Sequence, residues 1–330
     1  MILSIICPTY NEEKYIATTL ESFLHQQHHS FELEILICDG MSTDATRTIV
    51  KQFAEKYNNI KLVDNINRKT PFAFNVGLRK AQGEYIAILG AHTKYDDNYL
   101  QACFDDLQKH NVTGVSGRVI TQAAFNNLQA KIGEWVMLSN FGVSGNSFRM
   151  MKEGFTHSVN FPVFKKQALI DLGGYNETME RNQDNDMNQR LIDAGHKLYC
   201  TWKTKCYYRP PANLHKLMRY AFKGGFWNAK SLYLHYRSMR LHHFIPFFFV
   251  LALIALPFFG IAEYLLFATT FCFKGFAVII ALHLVAGCFA TIQSLKQENN
   301  FKKIILPFIF FGFHFSYGWG TLNGLLKHDK

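Results

Sequence analysis

The chain has 330 residues, of which 48% are apolar, 15% aromatic and only 18% charged; that length holds about two domains. A charged share below the roughly 25% of a typical soluble protein excludes a disordered or fibrous chain and says that part of the molecule does not face water. The net charge of +10 points to anionic partners such as nucleotides, lipid phosphates or nucleic acid.

In chain order, Met1–Cys7 is a short apolar run with no basic flank, closed by Pro8–Glu13. It is too short for a signal peptide and reads as a strand, so the domain it opens is expected in the cytoplasm. Further strands are expected at Glu34–Cys38, Ile60–Val63 and Tyr85–Leu89, with helical patterns at Glu12–His25, Ser42–Tyr57, Pro71–Ala81 and Asp96–Lys109. That alternation predicts right-handed βαβ units and a mainly parallel sheet. Ligands of such sheets sit beyond the carboxyl ends of the strands. The polar residues cluster there: Thr9-Tyr10-Asn11-Glu12, then Asp39-Gly40-Met41-Ser42-Thr43-Asp44, then Gly90-Ala91-His92. No G-x-G-x-x-G and no G-x-x-x-x-G-K occurs, which removes the main support for dinucleotide and P-loop readings. The seven cysteines are scattered without a C-x-x-C pair and read as reduced, mostly buried thiols.

Two carboxylates stand out. Asp39, at a strand end before Gly40, either reads a base N–H or caps the following turn. Asp184 precedes the apolar stripe Met187, Leu191, Ala194 and shares its inward face, while Asp186 and Arg190 have the spacing of a surface ion pair. An inward carboxylate loses hydration, which raises its pKa toward that of a useful base; the plainer reading of Asp184 is a helix cap.

Past Leu241 the composition changes. The stretches at about 244–267, 275–295 and 304–326 hold almost no charge, and each has the roughly 20 residues needed to cross a bilayer. Basic residues precede the first (Lys216 to Arg240) and separate the second from the third (Lys296, Lys302, Lys303), which places both groups in the cytoplasm. The third contains Pro307, Gly312, Gly318, Gly320 and Asn323, and either crosses or re-enters. Between Leu214 and His243, cations interleave with aromatic and aliphatic residues, the pattern of amphipathic helices in the headgroup layer. The chain therefore divides into 1–212, 213–243 and 244–330.

Pro8-Thr9-Tyr10-Asn11-Glu12-Glu13, Asp39-Gly40-x-Ser42-Thr43-Asp44, Asn75…Ala81-x-Gly83-Glu84-Tyr85, Gly173-Gly174-Tyr175 and Asp184…Arg190-Leu191…Ala194-Gly195 together resemble the family-2 inverting glycosyltransferases. The order of motifs matches over roughly the first 240 residues, and the succinoglycan-biosynthesis subgroup is the most similar. The resemblance implies an α/β fold: a GT-A, Rossmann-like, mainly parallel catalytic domain, then interfacial helices and about three transmembrane helices. It implies transfer of a sugar from a nucleotide-sugar, most often a UDP-sugar, to a polyprenyl-diphosphate-linked or other nascent glycan. The setting would be the inner (cytoplasmic) membrane, among membrane lipids, with the catalytic domain facing the cytoplasm and no nucleic-acid partner. Pro8, Thr9, Tyr10, Asn11, Glu12, Asp39 and Asn75 would line the nucleotide site, and Asp184 would be the catalytic base. Arg181, Gln183 and Trp227 would lie on the acceptor side. A divalent cation, Mn²⁺ or Mg²⁺, is the implied cofactor, with His92 and then His157 as candidate ligands. Gly90 stands where the family carries a metal-binding Asp, and Tyr220 where the subgroup carries Gln. The missing Asp motivates the alternative of a catalytically silent nucleotide-sugar-binding partner in a membrane glycan-assembly complex.

Overall fold

The computed structural model describes residues 1–143, 149, 151–234 and 241–327; Arg237 and Arg240, among the basic residues expected before the first span, fall outside them. The chain forms two compact units, one of Met1–Ile120 with Phe148–Tyr208 and one of Thr121–Ser147 with Arg209–Lys330.

The first unit begins with β1 (Ile2–Thr9), α1 (Ile16–Leu24), β2 (Glu32–Asp39), α2 (Thr46–Lys56), β3 (Ile60–Asp64), α3 (Thr70–Lys80) and β4 (Tyr85–Ile88). β3, β2, β1 and β4 pair in parallel in that spatial order, as the βαβ pattern requires. The helices start later than their sequence pattern, because Asn11–Glu13 and Ser42–Ala45 are spent on contacts between the two loops.

The rest of the sheet is antiparallel. It uses β5 (Lys94–Tyr95), β6 (Gly114–Thr121), β7 (Gly154–Thr156), β8 (Val163–Lys165) and β9 (Leu198–Tyr208), separated by α4 (Tyr99–Lys109), α5 (Leu128–Leu138), α6 (Lys166–Asp171) and α7 (Gln183–Asp193). β8 joins β4 to β6 antiparallel to both, and β9 carries β5 and β7 antiparallel. The sheet is thus mixed with a parallel core. Alternate residues of β1 feed two cores: Leu3, Ile5 and Cys7 pack with Leu100, Cys103 and Leu107 of α4. Ile6 packs with Phe74 of α3, Leu169 of α6 and Met187 of α7. The result is a helix–sheet–helix sandwich. All seven cysteines are free, five of them buried.

The second unit contains α5, α8 (Leu214–Leu234), α9 (Ile245–Phe267), α10 (Phe271–Gln297) and α11 (Leu306–Leu326), with short 3-10 turns at Leu241–Phe244 and Phe301–Ile305. Three helical stretches, Leu241–Phe267, Phe271–Gln297 and Phe301–Leu326, are long and apolar enough to cross a membrane. α9 and α10 form an antiparallel hairpin: Gly260 faces the Phe273 ring and Gly275 faces Leu256. α11 meets that hairpin at its open end, where Gly318 abuts Pro246 and Val250, Pro307 abuts Gly287, and Phe311 touches Phe249 and His283. α8 runs parallel to α11 along its length, with Met218 near Gly312, Phe222 near Gly320 and Phe226 near Gly324.

Candidate active site

β1 and β2 end side by side, with Thr9 opposite Asp39, and β3 ends with Asp64 opposite Asp39. Two carboxylates facing each other at the sheet edge need a cation. Arg47 of α2 supplies it, one guanidinium nitrogen 2.6 Å from Asp39 Oδ2 and the other 2.7 Å from Asp64 Oδ1. Asp39 is fully buried; its Oδ2 also accepts from the Ser42 amide at 2.9 Å and its Oδ1 from the Ser42 hydroxyl. The carboxylate is therefore fixed in direction. Neither Arg47 nor Asp64 was singled out from sequence; the signal that could have found them is the pair of strands ending in Asp, with an arginine in the helix between.

The loops after β1 and β2 are laced together. The Asn11 amide donates to Ser42 Oγ at 2.8 Å and Asn11 Oδ1 accepts from the Thr43 amide at 2.9 Å. The Glu12 amide donates to Thr46 Oγ1 at 2.8 Å. Asn11 and Met41 hold left-handed backbones (φ 53° and 60°), conformations that concentrate at functional sites. Thr9 is buried with its hydroxyl on the Cys7 carbonyl. Tyr10 is exposed, its ring beside Gly40, where an added Cβ would lie 3.3 Å from Tyr10 Cδ2 and 3.4 Å from the Arg68 backbone. Gly40 thus keeps the floor of the cleft open between Tyr10 and Arg68. Pro8 is half-buried in β1.

The turn after β4 is pinned by the Gly90 amide donating to the Tyr95 hydroxyl at 2.8 Å and by the Thr19 hydroxyl on the Ala91 carbonyl. It leaves His92 exposed, its Nδ1 3.3 Å from Glu12 Oε1. Among the described residues no three His, Cys, Asp or Glu side chains gather as they would around a metal ion. Glu12 and His92 are two donors that fit a cation arriving on a diphosphate, since Mg²⁺ is held through one or two carboxylates plus substrate phosphates and Mn²⁺ accepts imidazole. His157 follows β7, whose Thr156 lies opposite Leu198; Lys94, two residues after His92, lies opposite Tyr207 at the other end of β9. The structure records no contact joining the two histidines.

Asn75 of α3 donates to the Tyr175 carbonyl at 2.8 Å and to Glu177 at 2.9 Å, and accepts from the Tyr175 amide at 2.7 Å. Its amide is committed to holding the turn before α7 against α3, and Lys69–Glu180 (2.8 Å) reinforces the same seam. Lys69 follows Arg68, so the loop leading to α7 borders the cleft edge that Gly40 floors. Arg181 is partly exposed, and Asn182 enters α7 at φ 62°. Gln183 keeps a buried Oε1 with no partner among the described residues.

Asp184, in the first turn of α7, is partly covered, and the desolvation lifts its carboxyl from 3.8 to about 6. Its charge also helps burial raise the Tyr175 phenol. The Asp186–Arg190 pair forms at 2.8 Å, but it is buried rather than a surface pair, because Arg190 also donates to the Leu172 and Gly174 carbonyls at 2.9 and 2.8 Å. α7 thus starts with one carboxylate paired with arginine and a second whose shift comes from desolvation. Trp227 belongs to the second unit, edge-on to Phe226 at 5.6 Å.

A parallel-cored mixed sheet with acidic and polar loops at its carboxyl edge places the ligand site at that edge. The chain belongs to glycosyl transferase family 2, whose profile matches residues 4–172. It is 29% identical, over 99% of its length and 98% of the relative's, to the dolichyl N-acetyl-alpha-D-glucosaminyl phosphate 3-beta-D-2,3-diacetamido-2,3-dideoxy-beta-D-glucuronosyltransferase of Methanococcus voltae. It is 27% identical to the succinoglycan biosynthesis protein ExoA of Rhizobium meliloti over 73% of each chain. Among solved structures, the mannosyltransferase PcManGT of Pyrobaculum calidifontis, in complex with GDP-Man and Mn²⁺, has the same fold. Its TM-score is 0.61 at 18% identity, covering 99% of this chain and 88% of that one. The protein is therefore a glycosyltransferase of GT-A fold.

Proposed function

We propose that this protein is a membrane-anchored inverting glycosyltransferase that moves a sugar from a nucleotide-sugar, a UDP-sugar, onto a lipid-linked or nascent glycan acceptor in cell-surface polysaccharide or glycolipid synthesis. Its catalytic unit faces the cytoplasm at the inner membrane. The observation that carries this reading is Asp184: a carboxyl lifted to about 6 by desolvation alone, on the helix whose leading loop is tied by Glu180 to Lys69, next to Arg68. Such a group is ionised at neutral pH yet basic enough to take a hydroxyl proton.

In the transfer, Asp184 accepts the proton of the acceptor hydroxyl while that oxygen bonds to the anomeric carbon. The bond from that carbon to the diphosphate oxygen breaks, and the nucleoside diphosphate leaves with the electron pair, inverting the configuration in one displacement. Asp39, aimed by Arg47 and Ser42, presents its Oδ1 to a base N–H. Tyr10 and Arg68 border the donor, and Asn75 holds the α7 loop in register with them. A divalent ion held by Glu12 and His92 would offset charge on the leaving diphosphate. Arg181, Gln183 and Trp227 are assigned to the acceptor side. The relative that covers nearly the whole chain is named as acting on a dolichyl-linked sugar phosphate, which supports a lipid-linked acceptor.

The test is Asp184→Asn. Transfer, followed as nucleoside diphosphate release and product mass, is expected to fall about 10²–10⁴-fold, the usual worth of a general base, with UDP-sugar affinity unchanged. Normal turnover would remove Asp184 from the reaction. The silent-partner alternative has Gly90 in its favour; transfer by the purified protein alone would end it. Chelation followed by Mn²⁺ addition tests the cation: transfer should fall and return.

A further inference from the structure

The cations of α8 are not scattered around the helix. Lys216, Arg219, Lys223 and Lys230 recur at intervals of three, four and seven residues, which at 3.6 residues per turn makes one stripe. Lys216, Arg219 and Lys223 are exposed along it. Beside this stripe α8 and α11 part to leave a groove of about 240 Å³. α8 lines it with His215, Met218, Arg219 and Phe222, spaced to share one face of the helix, and α11 lines it with Phe315, Ser316 and Trp319; no acidic residue lines it. Phe315 and Trp319 stand in parallel planes, 6.4 Å between ring centres and 4° apart, and both are about two-fifths exposed. α11 carries these rings across the open end of the α9–α10 hairpin. Lys296 and Lys302 sit at that same end, where a spanning hairpin meets the phosphate layer.

We infer that this groove seats the phosphate and the first isoprenoid units of the lipid-linked acceptor, with Arg219 and His215 on the phosphate and the Phe315–Trp319 wall against the hydrocarbon. The inference rests on the reading of the chain as a transferase to a lipid-linked acceptor, and it assigns where that lipid is held. Charge complementarity selects the occupant. Arg219 alone would suit any anion, and apolar side chains alone any greasy segment. The two side by side in one groove fit an anion covalently joined to an apolar chain. The volume, somewhat below the ~300–1,000 Å³ of sites that enclose a drug-sized ligand, suits one phosphate and the start of one chain rather than a two-chain phospholipid. The glycan itself is left outside the groove.

The experiment uses the full chain in phosphatidylcholine nanodiscs, with farnesyl phosphate as probe and intact-complex mass spectrometry as readout. One farnesyl phosphate per chain is expected, with farnesol and inorganic phosphate binding at least tenfold more weakly. Arg219→Gln and, independently, Trp319→Ala should each weaken farnesyl phosphate at least tenfold. Lys109→Gln, on α4 of the first unit, should leave it unchanged. Unaltered affinity in both groove variants would overturn the inference, as would displacement of the probe by nanodiscs rich in phosphatidylglycerol, the mark of a general headgroup surface. UDP binding is measured on the same wild-type sample. If UDP binds and farnesyl phosphate does not, the groove assignment falls and the transferase reading stands. If farnesyl phosphate binds and UDP does not, the UDP-sugar donor falls and the groove stands.

Discussion

Asp184 and Asp39 show how one residue type is set to two tasks by its surroundings. Asp39 is buried but held in direction by Arg47 and Ser42; Asp184 is desolvated, with no ion pair among the described residues, so its proton affinity rises. Because the folded carboxyl of Asp184 titrates at about 6 against an ordinary 3.8, the fold disfavours its ionised form. The cost grows as pH rises from about 4 to about 6 and persists above. Asp184→Asn is therefore expected to raise the melting temperature at pH 8, with the gain vanishing below about pH 4. The rate of transfer in the wild type should fall on acidification with a limb near pH 6, as the base is protonated. A pH-rate profile flat through that region would remove Asp184 as the base. At Arg47 the two ion pairs differ in kind. Arg47→Met strips the partner from a fully buried carboxylate that keeps its Ser42 bonds, and should cost about 2–3 kcal/mol. Asp64 is 56% exposed, so Asp64→Asn should cost under about 1 kcal/mol. Thermal unfolding of the two variants side by side checks the contrast. Asp184 stands out in the sequence through its place before an apolar stripe; the Arg47 bridge does not, because it depends on β2 and β3 ending in register.

At the scale of elements, hydrophobic periodicity marked the four parallel strands and the helices between them, since each has a buried face repeating at a period of two or 3.6. Within the antiparallel half, three strands left no such signal. β5, β7 and β8 are two or three residues long, too short for alternation to register, and they exist because neighbouring strands hydrogen-bond them. The pairing of α8 with α11 was hidden for another reason. It depends on absent side chains: a Cβ at Gly320 would sit 2.1 Å from the Phe222 carbonyl oxygen and one at Gly225 2.0 Å from that of Tyr317. Backbones in such contact are joined by dispersion and close fit rather than by a hydrophobic stripe. Gly320→Leu should destabilise the helix pair by about 3 kcal/mol or more and lower the melting temperature in detergent. Gly224→Ala, whose new methyl would lie 3.6 Å from the Tyr317 ring, should be nearly neutral. Equal effects from the two would mean that the helices do not meet through these glycines.

For the molecule as a whole, the open question in the sequence was whether the third apolar stretch crosses. From Pro307 to Gly318 α11 advances about 16 Å at 1.5 Å per residue, yet over that distance its glycine and ring contacts with the hairpin fall at Pro246–Val250 of α9 and His283–Gly287 of α10. It therefore passes steeply over the open end of the hairpin instead of running beside it, and it is the most covered and least apolar of the three candidates. A cysteine placed at Lys327 is accordingly expected to react with a membrane-impermeant maleimide from the same side as one at Lys302; labelling from opposite sides would mean that α11 crosses. The amino-acid sequence by itself determined the class of fold, the cleft at the carboxyl ends of the parallel strands, the acidic candidates and the presence of membrane helices, because burial periodicity and motif spacing are local properties of the chain. Tertiary structure alone decided which partner each carboxylate received, how the short strands joined the sheet and how α11 lies on its hairpin, because those outcomes depend on groups far apart in the chain meeting at distances that no local pattern encodes.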